Sequence, residues 1–87
     1  MDKEEIDKLN HWYSLLIKRL EGLEHSGRGD IIHDIGKWKG LINGWHGLMN
    51  KEIEHPLNLK PVEYYAKYLK NYLKYAEEFL LDMAKGD

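Results

Sequence analysis

Apolar residues recur in this chain at alternating intervals of three and four, and that rhythm restricts the fold more than any other feature. Ile6, Leu9, Tyr13, Leu16, Leu20 and Leu23 form the first such series. Ile31, Ile35, Trp38, Ile42, Trp45 and Met49 form the second, widened by Leu41 and Leu48 on one flank and Ile32 on the other. Val62, Tyr65, Leu69, Tyr72, Ala76, Phe79 and Met83 form the third, broadened by Ala66, Leu73 and Leu80. A 3.6-residue helical turn brings such positions onto one stripe, whereas a strand requires a period of two. The expected elements are therefore helices at about 3–24, 30–54 and 61–85.

Local signals agree with these limits. Asp2, followed by Glu5, fits a capping box; Asp30 is the expected N-cap of the second helix, and Pro61 is a favoured first helical residue for the third. "EHSGRGD" places two glycines between the first pair, and "EHPLNLKP" two prolines between the second. Links this short make sequence neighbours antiparallel. Helices of about 20 to 25 residues are roughly 30 to 37 Å long at 1.5 Å per residue, and matched lengths favour an all-α, antiparallel up-down-up three-helix bundle. The whole chain, 1–87, is expected to be a single helical domain.

Composition narrows the function classes. The chain is 43% hydrophobic and 32% charged, values of a globular rather than a disordered chain. It has no cysteine, which removes thiolate zinc sites, cysteine nucleophiles and disulfide frameworks. With an acidic, polar start "MDKEEIDK" and no long apolar run, neither a secretory signal nor a membrane span is expected, and the expected location is the cytoplasm. A formal charge of −2 does not favour a dedicated nucleic-acid grip.

The anomaly is "GKWKGLINGWHG", residues 36–47, which carries four glycines in mid-helix. Each costs roughly 1 kcal/mol relative to alanine, so the four cost about 4 kcal/mol, against about 4 to 13 kcal/mol of total stability for a chain of this size. With the apolar series at heptad positions a and d, Gly40 and Gly47 fall at f, Gly36 at b and Gly44 at c, away from the core. A bare ridge at i, i+4, i+8 admits another helix backbone closely. The expected partner-binding residues are Gly36, Gly40, Gly44 and Gly47, with His33 and Lys37 beside them. They point to a small non-enzymatic interaction module that self-associates or docks another helical protein, regulating or scaffolding a larger partner, with no metal or cofactor. A broken or kinked second helix, or a ridge turned inward for tight packing within the monomer, is the competing explanation.

"IIHDIGKW", residues 31–38, resembles the doublet segment of HD-domain metal-dependent phosphohydrolases. The resemblance implies that His33 and Asp34 ligate a divalent metal that activates water against a phosphoester. That family also needs an earlier His and a later Asp, for which this chain offers His11, His25 and Asp82, and three helices are few to surround such a site. "RGDIIH" is similar to the Arg-x4-His element of HEPN-type ribonucleases, which implies phosphate stabilisation by Arg28 and acid-base chemistry at His33. "EIEH", Glu52 to His55, has the Glu-x-x-His spacing of di-iron bundles, with "DIIH" a partial echo, but His55 stands before Pro56, where a helix should have ended. Finally, Lys60, Lys67, Lys70 and Lys74 accompany Tyr64, Tyr68 and Tyr75 in the third helix, a combination that suits single-stranded nucleic acid. Glu77, Glu78 and Asp82 follow at once and oppose it, so a protein partner is the favoured expectation.

Overall fold

In the computed structural model, which describes residues 1–27 and 29–85, three helices succeed one another: α1 (Lys3–Glu24), α2 (Ile32–Glu54) and α3 (Val62–Lys85). Each helix touches both others. The end of α1 meets the start of α2 through Lys39 and Glu24, 3.3 Å apart, while the Met1 ammonium reaches Glu63 at the start of α3 at 2.6 Å. The order is therefore up-down-up, in a rod with extents of 44 × 20 × 16 Å.

The apolar stripes meet as their spacing predicts. Leu9, Leu16 and Leu20 of α1, Ile31, Ile35, Ile42 and Met49 from the second segment, and Ala66, Leu69, Leu73, Ala76 and Leu80 of α3 form one buried core. Aromatic members of the stripes, Tyr13, Trp38, Trp45, Tyr65, Tyr72 and Phe79, are half-buried against it, because rings this large extend from the core to the surface. Two of the residues expected to widen the second stripe, Ile32 and Leu48, stand exposed instead at 49% and 46%.

The helix ends hold two corrections. Asp2 Oδ1 accepts from the Glu5 amide at 2.9 Å, as expected of an N-cap. Asp30, however, is not the cap of α2: Ile31 occupies that position, already in right-handed backbone geometry and with no side-chain cap bond. Burial of Ile31 in the core holds it there, so packing overrides the local preference for a polar cap. Pro61 likewise stands just before α3, its carbonyl accepting from the Tyr64 amide at 3.0 Å, rather than at the first helical position.

The α2–α3 connection is organised from inside. Glu52 is 7% exposed, and its carboxylate accepts from the amides of Leu57 (3.3 Å) and Asn58 (2.9 Å). Charge-assisted bonds of this kind repay the burial of an acid. They hold the loop where Asn58 adopts φ 59°, a left-handed geometry that asparagine tolerates better than most residues. Glu52 thus anchors a turn, and His55 is the exposed cap residue beyond the helix. No helix among the described residues is long and apolar enough to cross a membrane.

Candidate partner-binding face

The four glycines lie within an unbroken helix and all are exposed. An ideal Cβ built on Gly36, Gly40, Gly44 or Gly47 meets no heavy atom within 4 Å. The helix is therefore not broken at the glycines, and the ridge does not pack against α1 or α3. His33 and Lys37 are exposed beside it, and the Lys37 ammonium lies 4.9 Å from the centre of the Trp38 ring. Because the monomer gains no close packing from these glycines, their propensity penalty goes uncompensated within the chain.

One edge of this face borders the α1–α2 seam, which is polar where the α2–α3 seam is aromatic. Tyr13 stacks on His46 with ring centroids 3.7 Å apart and planes 3° from parallel, and its hydroxyl donates to Asn43 Oδ1. His46 Nε2 donates to Asn10 Oδ1 at 2.8 Å. With the proton on Nε2, Nδ1 is the lone acceptor of the ring and faces the Asn50 amide nitrogen at 3.4 Å; that nitrogen stands closer to Nε2, at 3.0 Å, where it gains nothing in this tautomer. Burial lowers the His46 pKa from its ordinary value near 6.5, and burial, with a smaller contribution from the Glu21 charge, raises that of Tyr13.

A pH dependence follows. Below the ordinary histidine pKa of about 6.5 the unfolded chain takes up a proton that folded His46 resists, so acid favours unfolding until the folded-state pKa is also passed. The melting temperature, followed by circular dichroism, should fall between neutral pH and about pH 5.5, and His46→Gln should make that fall shallower. An unchanged slope in the variant would contradict the assignment.

The structure disperses the catalytic candidates. His33 and Asp34 are exposed on the first turn of α2, and among the described residues no group of three or more His, Asp or Glu side chains could hold a metal ion. His11 and Asp82 are exposed on other helices, and His25 caps α1. Arg28 of the ribonuclease-like element lies outside the described residues. Of the Glu-x-x-His pair, Glu52 is committed to the loop amides.

What the one-dimensional pattern does not reveal is the aromatic assembly between α2 and α3. Trp45 lies within ring-contact distance of Tyr64, Tyr65, Tyr68 and Tyr72, with the Tyr68 centroid 4.8 Å away and the planes 18° apart. Trp38 meets Tyr75 and Phe79, each at 6.5 Å. The available signal is Tyr64, Tyr68 and Tyr75 flanking the α3 stripe, but their tryptophan partners come from another helix. Comparison of the chain with protein-family models, with curated proteins and with solved structures finds no match in any of the three.

Proposed function

We propose that this chain is a non-enzymatic helical interaction module that self-associates through the glycine face of α2 and, in that form, regulates or scaffolds a larger partner in the cytoplasm. The observation that carries the reading is the exposed ridge of Gly36, Gly40, Gly44 and Gly47 on a continuous helix, with no neighbour near any of the four built Cβ positions. Four helix-weakening residues on one exposed face favour a contact made outside the monomer. A bare backbone lets a second helix axis come closer than larger side chains allow, which increases dispersion contacts along the line of approach. Exposed Ile32 and Leu48, on opposite flanks of α2, offer apolar contacts to either side of such a helix. His33 and Lys37 supply polar contacts at its edge.

Sedimentation equilibrium on the wild type and on Gly40→Leu tests this. The wild type should associate in the micromolar range, and the variant should remain monomeric with its helical circular dichroism intact, since the leucine obstructs the face without entering the core. A strictly monomeric wild type, or undiminished association by a helical Gly40→Leu, would overturn the proposal.

A further inference from the structure

The ring contacts at the α2–α3 seam form one continuous series with a cation at each end. Lys60 Nζ lies 5.1 Å from the Tyr64 ring centre; Tyr64 meets Tyr68 at 5.0 Å, and Tyr68 meets Trp45 at 4.8 Å. Trp45 then meets Tyr72 at 6.3 Å, Tyr72 meets Tyr75 at 6.4 Å, and Tyr75 meets Trp38 at 6.5 Å, with Lys37 Nζ 4.9 Å from the Trp38 ring centre. Both cations are within the roughly 6 Å at which a ring face attracts them. The series is not sealed in the core: Tyr75 is 51% exposed and the other rings are half-buried.

Charge is distributed unevenly along this track. From Lys60 to Tyr75 there are four lysines, Lys60, Lys67, Lys70 and Lys74, and one acid, Glu63, a local balance of 4 − 1 = +3. That acid is occupied by the Met1 ammonium at 2.6 Å. Glu77, Glu78 and Asp82 begin only beyond Tyr75, and Asp34 stands on the first turn of α2, at the same end of the bundle. The acids that oppose a polyanion in the sequence therefore gather beside the Tyr75–Trp38 end of the track and leave the stretch from Lys60 to Lys74 uninterrupted. Lys67 and Lys74, two helical turns apart, share one face at a separation of about 10.5 Å.

We propose that this lysine-bordered aromatic track binds single-stranded nucleic acid, with bases stacking on the exposed tyrosine rings, Tyr75 foremost, and phosphates meeting Lys60, Lys67 and Lys74. A base has an apolar π-face and an adjoining negative charge, and the track offers the complement of each without any base-specific donor pattern. Recognition is therefore of single strands in general, not of a sequence. The tyrosines and the α3 lysines of the track lie on a different face from the glycine ridge, and Lys37 alone borders both.

The test is fluorescence anisotropy with an end-labelled oligothymidine of about 15 nucleotides in low salt, about 20 mM. The wild type should bind, with log K falling against log salt at a slope of about −2 if three phosphates are neutralised. Tyr75→Ala should weaken binding roughly 5- to 100-fold, Tyr75→Phe should restore it, and Lys67→Glu with Lys74→Glu should abolish it, all with unchanged helical circular dichroism. Three outcomes would overturn the proposal: no binding at about 100 μM protein, equal binding by helical Tyr75→Ala, or equal competition by polyglutamate, which would identify an acidic-polypeptide surface. Gly40→Leu should bind the oligonucleotide as the wild type does, which separates this result from the fate of the self-association reading.

Discussion

Replacing Gly36, Gly40, Gly44 and Gly47 together by alanine should raise the melting temperature of the monomer by roughly 15 to 30 °C. Each glycine pays extra backbone entropy on entering a helix and gains no side-chain contact, so alanine recovers about 1 kcal/mol per site. In this chain no opposing term intervenes, because the added methyl group meets no atom within 4 Å at any of the four positions. The summed change, about 4 kcal/mol, is comparable with the lower bound on the stability of a domain this small. Thermal unfolding at a protein concentration below self-association measures it. A Tm that stays level or falls would mean that α2 is not the uninterrupted exposed helix described above. The same experiment bears on the proposed self-association, whose premise is that these glycines weaken the monomer while leaving its packing unchanged.

Trp45→Ala should have the opposite sign and a similar size, a loss of about 3 kcal/mol or more. Trp45 leans on four tyrosines of α3, with centroids between 4.8 and 6.4 Å away, and joins the two helices that share the most extensive interface of the bundle. Truncation removes those ring contacts and opens the half-buried seam between α2 and α3 to water. Urea denaturation should show a markedly lower midpoint, whereas Leu15→Ala on the outer side of α1, where the side chain is half exposed, should shift it by no more than about 0.5 kcal/mol equivalent. Similar effects from the two substitutions would remove the aromatic seam from the forces that hold α2 to α3.

The glycine face is visible in the sequence because a helix wheel places Gly36, Gly40 and Gly44 opposite Ile35 and Ile42 whatever α2 packs against. The aromatic seam is not, because Trp45 finds Tyr68 only after the rotation and axial register of two helices have been set. The same distinction explains the α2 N-terminus. Asp30 precedes the apolar series and has the chemistry of a cap, but burial of Ile31 against its neighbours moves the helix start past it. His46 gives a third example: on the wheel it borders the core stripe, and only α1 reveals that Tyr13 stacks upon it and that Asn10 Oδ1 accepts its hydrogen bond.

From the order of its residues alone, the chain determined that it would form three helices of nearly equal length, where the main apolar stripes would run, and that the glycines of α2 would lie opposite its stripe, whereas the openness of that ridge and the exposure of Ile32 and Leu48 came from the packing. The former properties follow from a period of 3.6 residues and from local backbone preferences, which need no knowledge of neighbours. The tertiary structure alone decided that Glu52 would tie down a loop, that one seam would be polar and titratable, and that six rings from two helices would form a lysine-ended series. Contacts of that kind depend on which faces meet and at what height, and those are settled only when all three stripes are buried together.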